Sequence, residues 1–521
     1  MERCFLLCMV GVLIPRLVPE ILNNMMTSVK KITVLGGGSA GFIAALTLKR
    51  KIPGLQVTVI RSPHLGIIGV GEGTTPNFPK HFHEYLGLKP EKFFAEAQPI
   101  WKLGIRYLWG PRNSFNYTFT NQTDFRFKDL PKNNGYYCDD DFSSVDLSSA
   151  LMDEKRIFAR PADGTMQVLN HFGYHVENKK LVGYLEARAQ DFGVNIIDAT
   201  VTNVRRLENG GVAALVLDNE TEEIADLFVD ASGFHAELLG RELGEPFVDY
   251  SDSLFSDRAV VGGWAREEND PIQPYTTAET MNAGWCWRID HEEIINRGYV
   301  FCSAHITDEE AEAEYRRKNP QAGQTRIVKF RTGRYQRQWV HNVIAVGNAA
   351  GFVEPLEATA LMTICLQSQG LTDALMECDL QPTESMGKMY NTYMASLWDD
   401  VRDFLAIHYK FNSRIDSPYW RRCQEETAIH GAGELVEFYR ENGPSVLPKS
   451  VLVHPVSPFG IEGYYTLLVG QQVAHKKPHA ITPKEQTLWN NYRKKNQLTA
   501  SRAFNVKQAL GQLRDPRWCW V

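Results

Sequence analysis

The sequence predicts an α/β fold: a Rossmann-type nucleotide-binding domain, discontinuous along the chain, with an inserted mixed β-sheet substrate region and a helical C-terminal subdomain. Three observations predict it. Gly36, Gly38 and Gly41 form G-x-G-x-x-G between a strand pattern and a helix pattern. Two later strands, ending at Val229-Asp230-Ala231-Ser232-Gly233 and Gly347-Asn348-Ala349-Ala350-Gly351, run into turns of small residues. From Ala360 onward the apolar residues recur with helical period.

The elements follow in order. Lys31 to Leu35 reads as a buried strand, Gly41 to Arg50 as the helix behind it, and Gln56 to Ile60 as the next strand. Asn178 to Phe192 reads as helix and Val194 to Ala199 as strand. Glu223 to Asp230 and Trp339 to Val346 are further strands; Ala360 to Met376 and Ser385 to Lys410 are helices. The nucleotide-binding parts are therefore 30–110, 191–240 and 336–380. Residues 111–190 and 241–335 supply the substrate region, and 381–521 the helical C-terminal subdomain. Residues 1–29 form a leader or upstream extension: Phe5 to Ile14 is apolar but shorter than the ~20 residues of a bilayer span. Met25 or Met26 is the expected natural start.

Composition narrows the function. With 56 basic and 62 acidic residues the formal charge is −6, which argues against nucleic acid as partner. The nine cysteines contain no C-x-x-C pair, which fits a reducing compartment, and the cytoplasm is expected with no membrane partner. His171 and His175 have the spacing of a metal pair on a helix, but no third ligand accompanies them, so no metal is expected.

At the nucleotide site Gly36 permits the turn, Gly38 lets the backbone reach a pyrophosphate, and Gly41 lets helix pack on strand. Ser39 and Ala40 open the helix whose amides face the phosphates. The residue closing the second strand is Arg61, not the acidic ribose ligand. An arginine there suits a 2′-phosphate, stacks on adenine, or faces solvent. The turns at Ser232-Gly233 and Gly347-Asn348 resemble the second and third cofactor-contacting segments of glutathione-reductase-like flavoproteins, which implies FAD.

Four further segments resemble the flavin-dependent halogenases, in particular the tryptophan-halogenase-like family. They are Gly69-Val70-Gly71-Glu72-Gly73-Thr74-Thr75-Pro76, where the family reads G-V-G-E-A-T-x-P, and Trp101-Lys102-Leu103-Gly104-Ile105. The others are Gly284-Trp285-Cys286-Trp287-Arg288-Ile289-Asp290, with Asp290 where the family has proline, and Phe352 to Thr359. Asp399 to Phe404, His408-Tyr409 and Ser417 to Trp420 support the match, which runs from about residue 30 to 470.

The resemblance implies that FADH2, O2 and a halide (chloride, bromide or iodide) yield hypohalous acid, which passes through a tunnel to an aromatic substrate. A partner flavin reductase would supply FADH2. Gly71 and Glu72 would lie beside the flavin, and Trp285 and Trp287 would shield it from the substrate. Lys102 would hold the hypohalous acid and Glu357 would tune Lys102 or take the ring proton. Glu354 and Glu357, three residues apart, also read as helix-start carboxylates, a role sufficient for Glu354. The halide would sit at the amides of Thr359 and Ala360, where the family's Glu-Ser-Thr-Gly becomes Glu357-Ala358-Thr359-Ala360. Losing the serine hydroxyl and the glycine points to bromide over chloride.

Tyr117, Phe119 and Phe459 are the candidate substrate-stacking residues. The family's Phe-Trp pair falls at Pro458-Phe459, so free tryptophan is not the expected substrate; an indole, phenol or pyrrole is, free or within a larger metabolite. Three other readings stay open: an FAD-dependent aromatic monooxygenase, an NAD(P)H-linked oxidoreductase favoured by Arg61 alone, and a non-catalytic flavin-binding protein. Oligomeric state, including a homo-oligomer, is left open.

Overall fold

A computed structural model describes residues 28–66, 71–120, 129–130, 132, 134–136, 142 and 146–520. The leader, the start at Met25 or Met26, and Gly69-Val70 of the first family segment lie outside the described residues.

The nucleotide domain is a six-stranded sheet in the order Trp339–Val340, Val343–Ala345, Leu227–Asp230, Lys31–Leu35, Gln56–Arg61, Asn195–Asp198. All pairings are parallel except the first. Parallel strands are buried on both faces and read as continuous apolar runs, as Lys31–Leu35 and Leu227–Asp230 do. On one face the helix Ser39–Lys51 packs between helices Thr359–Glu377 and Asn178–Asp191. On the other lies a three-stranded antiparallel sheet of Val201–Arg206, Val212–Leu217 and Glu222–Glu223.

Several expected elements are finer than the sequence pattern. Glu223 to Asp230 divides between that small sheet and Leu227–Asp230 of the main one. Trp339 to Val346 is a hairpin, turned at His341 with φ +52°. The segment after Gly347 does not enter a helix directly. A 3-10 turn Gly347–Ala349, a short strand Gly351–Phe352 and a second turn Pro355–Glu357 precede helix Thr359–Glu377. His171 and His175 do not share a helix: His175 is buried on strand Gly173–Val176 and His171 is exposed before it.

The second layer is a seven-stranded sheet, Arg326–Lys329, Arg258–Ala265, Ile294–Phe301, Gly284–Asp290, Thr276–Met281, Gly104–Leu108, Phe115–Thr118. It is antiparallel except where Thr276–Met281 meets Gly104–Leu108. A small sheet of Glu72–Gly73, Gly173–Val176 and Ile100–Lys102 bridges it to the nucleotide domain. Covering the wide sheet is the 28-residue helix Glu384–Phe411. Thr383 caps it by accepting from Met386 N–H, and Met394, Leu397, Val401, Phe404 and His408 form one buried stripe at three- and four-residue spacing. Helix Gly460–Gly470 packs on that helix and on Phe115–Thr118. Helix Pro483–Ser501, opened by a Thr482–Glu485 capping box, packs against Leu147–Asp153. Among the described residues no helix is long and apolar enough to cross a membrane.

Candidate active site

Three chain segments meet at the carboxyl end of the parallel sheet. Gly36 adopts φ +131°, and a Cβ there would collide with the carbonyl oxygen of Ala231 in the second segment. A Cβ on Gly41 would strike the Gly36 carbonyl, and one on Gly347 would lie 2.8 Å from Ala40 Cβ. At Gly38, by contrast, a Cβ would meet nothing within 4 Å. Side chains are thus excluded where the segments touch, and open space is left where backbone amides of Ser39 and Ala40 face out. That is a cradle for a pyrophosphate at a helix N-terminus. Asp230 is buried under the second turn, accepting from Ser232 Oγ and the amides of Leu238 and Leu239. Asn348 lines a cavity of about 270 Å³ with Phe234, Phe330 and Phe352.

Arg61 is committed elsewhere. Its Nε bonds Asp198 Oδ1 at 2.5 Å and its Nη1 bonds Glu186 Oε2 at 2.7 Å, which hold the guanidinium well above its ordinary value. Two carboxylates around it disfavour a phosphate, so the feature that pointed to NADP carries no weight in the fold. The residues present fit a flavin dinucleotide. Gly71, at φ +116°, packs against His291 and Asn296, and burial pushes the neighbouring Glu72 carboxyl up against the opposing bond from Asn178.

A second, buried cluster surrounds Lys102. Lys102 is fully buried on strand Ile100–Lys102, held opposite Gly173, and its Nζ has no hydrogen-bond partner. Around it stand the Phe119 ring, 5.4 Å from Nζ, with Thr276, Ala358 and Gly73. A Cβ on Gly73 would lie 3.1 Å from Lys102 Nζ, 3.3 Å from Thr276 Oγ1 and 3.4 Å from Ala358 Cβ. Burial lowers the Lys102 ammonium to about 7, with Glu357 opposing the shift. His175 Nδ1 donates to the Asp290 carbonyl and its Nε2 accepts from Thr276 Oγ1 at 2.9 Å, so the ring is neutral; burial, then Lys102, keep it well below its ordinary value.

Glu357 is 2% exposed. Its Oε1 accepts from Tyr107 and lies 2.8 Å from His408 Nε2. No ion pair joins it to Lys102. Glu354 is not a solvated helix-start carboxylate. It is fully buried and accepts from Tyr409, and its Oε2 and Trp285 Nε1 face each other without the geometry of a formed hydrogen bond. Burial pushes it up to about 7.

Thr359 and Ala360 are the first residues of helix Thr359–Glu377, so their amides need partners outside the helix. The left-handed backbone lies at Ala358, φ +55°, two residues before Ala360, which is helical. Trp285 and Trp287 are buried with ring centroids 6.0 Å apart, and Trp287 fills the space left by Gly298. Tyr117, Phe404 and Phe459 form one aromatic group. The Phe404 and Phe459 rings stack at 3.8 Å, with Tyr117 6.2 Å from Phe404.

The structure therefore brings Lys102, Phe119, Glu357 and Tyr117 to one chamber, with Phe459 reaching it through Phe404, and leaves Arg61 at the far end of the cradle. Sequence reasoning missed the roles of Tyr107, Phe404 and His408. For the last two a signal existed: Phe404 and His408 stand four apart in the buried stripe of their helix, where a histidine needs a buried partner.

A glycine-lined dinucleotide cradle and a buried cluster around Lys102 and Glu357 mark a cofactor-dependent enzyme. Residues 31–486 match the family model described as Tryptophan halogenase, and the chain belongs to that family of flavin-dependent halogenases. It is 32% identical over 451 residues to "Tryptophan 7-halogenase KtzQ" of Kutzneria sp. (strain 744), covering 81% of this chain and 84% of that protein. It is 27% identical over 446 residues to "Tryptophan 7-halogenase RebH" of Lentzea aerocolonigenes, covering 80% and 83%. Its structure is similar to that of MibH, a lanthipeptide tryptophan 5-halogenase, with TM-score 0.84 and 36% identity over 94% of each chain.

Proposed function

We propose that this chain halogenates an electron-rich aromatic ring with hypohalous acid delivered through a tunnel to Lys102, and that the cradle is a glutathione-reductase-like FAD site. The observation that carries the reading is Lys102 itself: a fully buried lysine amine without a hydrogen-bond partner, whose charged form there would cost several kcal/mol, persists in a fold only for a reason. FADH2 from a partner reductase, together with O2, supplies the two-electron oxidation of halide. Gly36, Gly38, Ser39, Ala40 and Gly41 hold its pyrophosphate, and Gly71, Glu72, Gly347 and Asn348 line the remainder. Amides of Thr359 and Ala360 hold the halide. Trp285 and Trp287 keep the organic substrate off the cofactor, which disfavours direct hydroxylation. Lys102 orients the hypohalous acid; the ring takes the halogen, its proton passes by way of Glu357, and the hydroxide released from the hypohalous acid takes up one proton, so that ring C–H and HOX give ring C–X and water. Tyr117, Phe119 and Phe459 stack the ring.

Two finer points follow from this chain's own residues. Gly73 and Ala358 stand where the family has alanine and serine, so a methyl and a hydroxyl are missing beside Lys102 Nζ; the wider space supports bromide over chloride. The higher identity to a lanthipeptide halogenase supports an indole carried within a peptide over free tryptophan. The turn Leu447–Ser450, packed on helix Gly460–Gly470, exposes Leu447 and Val451 by 80% each, an apolar rim suited to such a substrate. The test is mass spectrometry of free tryptophan, indole, phenol and tryptophan-containing peptides incubated with FAD, a flavin reductase, NADH and equal chloride and bromide. Halogen isotope doublets that vanish in Lys102→Ala support the reading. A gain of oxygen alone would replace it with an aromatic monooxygenase.

A further inference from the structure

His408 is completely buried, and its hydrogen bonds fix how many protons it shares. Nδ1 lies 3.1 Å from the carbonyl oxygen of Phe404, one turn earlier on the same helix. A carbonyl only accepts, so Nδ1 carries a hydrogen. Nε2 lies 2.8 Å from Glu357 Oε1 and 3.1 Å from the Tyr107 hydroxyl oxygen. The Tyr107 hydroxyl has one hydrogen, and it is donated to Glu357 Oε1. A neutral imidazole with its hydrogen on Nδ1 would then point a bare lone pair at a carboxylate oxygen 2.8 Å away, two acceptors in a buried contact. The contact needs a proton of its own. That proton makes the pair either imidazolium with carboxylate or imidazole with carboxylic acid, and both have zero net charge.

Resting on the proposed function, the geometry points to His408 as a positioning residue that neutralises Glu357 through one shared proton, leaving Lys102 without a counter-charge and hence as a free amine. Independent features agree. Lys102 Nζ bonds nothing and forms no ion pair with Glu357. Its burial alone drives the ammonium down to about 7, only partly opposed by Glu357. The other titratable groups facing the unit are Tyr107 and Tyr117 from adjoining strands, His175 beyond Lys102, and Tyr409, which is bonded to Glu354. Tyr107 and Tyr117 are held well above their ordinary values, by burial and then by Glu357, and His175 is neutral; none of them supplies the negative counter-charge that Lys102 lacks. A free amine can accept a hydrogen bond from hypohalous acid and present its lone pair to the halogen. An ammonium can only donate.

Two measurements test it. In the full-length protein labelled with 15N-histidine, His408 is expected to show a protonated Nδ1, a strongly hydrogen-bonded or protonated Nε2, and a bridging proton far downfield of the amide region. Glu357→Gln and His408→Gln should each remove that proton. A bare, unbonded Nε2 in the wild type would overturn the inference. In His408→Gln the side-chain amide still donates to Glu357 but carries no charge, so the carboxylate turns to Lys102. The acid limb of the halogenation pH profile should then move up by about one unit, with FAD affinity and reductase-coupled FADH2 oxidation unchanged. An acid limb that stays in place would also overturn it. If His408→Gln does not fold, His408→Asn and the wild-type spectrum decide. Absence of any halogenated product from the wild type would fail the proposed function, while the spectrum would still decide the shared proton.

Discussion

Replacing Lys102 with methionine separates what the residue does for catalysis from what it costs the fold. Burial lowers Lys102 from 10.5 to about 7. At pH 7 that difference in proton affinity between unfolded and folded chain corresponds to roughly 4 kcal/mol of lost stability. The sign runs opposite to that of a salt-bridged lysine. Because the folded-state value lies below the unfolded one, the penalty is fully present below about pH 7 and fades as pH rises toward 10.5. Methionine has a similar length, no charge and a flexible stem, and Gly73 leaves it room. Lys102→Met should therefore lose halogenation entirely yet melt at a higher temperature than the wild type at pH 7, with the gap narrowing at pH 9. Differential scanning fluorimetry of the cofactor-free protein across that range, beside the mass-spectrometric assay, measures both. A variant that melts lower, or a gap independent of pH, would refute the reasoning and mean that the Lys102 charge is solvated or paired.

Restoring the family's alanine with Gly73→Ala puts a methyl 3.1 Å from Lys102 Nζ; the bromo-to-chloro product ratio under equal halide should fall several-fold. Glu354→Gln removes a carboxyl that burial raises from 4.5 to about 7. The wild type loses stability as pH rises between those values, by roughly 3 kcal/mol, so the variant should melt higher at pH 8 and no higher near pH 4.5. Gly298→Ala would drive a Cβ into the Trp287 ring. It should cost about 1–3 kcal/mol in urea titration and, if Trp287 shields the cofactor from the substrate as proposed, raise the hydrogen peroxide formed per halogenated product.

The cofactor domain was legible because its constraints are local. Gly36, Gly38 and Gly41 announce a turn at which backbone must approach backbone, and the apolar runs around Lys31–Leu35 and Leu227–Asp230 announce parallel strands. Lys102 was legible as an ammonium in an apolar stretch. What stayed hidden depends on partners distant in sequence. Arg61 looked free to meet a phosphate because Glu186 and Asp198 lie more than 120 residues away. His171 and His175 looked helical because spacing alone does not distinguish a helix from a bend entering a strand. Glu354 looked like a helix-start carboxylate because Tyr409 and Trp285 come from other elements. Tyr107 and His408 became a pair with Glu357 only when the wide sheet and its covering helix met.

Several of the unfavourable features of this chain share one region. Lys102 Nζ, Trp285 Nε1, Trp287 Nε1 and Glu354 Oε2 are all buried without a formed hydrogen bond. Ala358 holds a left-handed backbone conformation, at φ +55°, that disfavours any residue but glycine. They lie on the strands Ile100–Lys102 and Gly284–Asp290 and on the segment between Gly351–Phe352 and helix Thr359–Glu377. Each strain or unsatisfied group costs on the order of 1–3 kcal/mol, and a random sequence drift toward stability would remove them first. A lysine that merely filled space would be a methionine. Under the proposed delivery of hypohalous acid to Lys102, buried polar groups without partners would hold a small polar oxidant briefly and release it again.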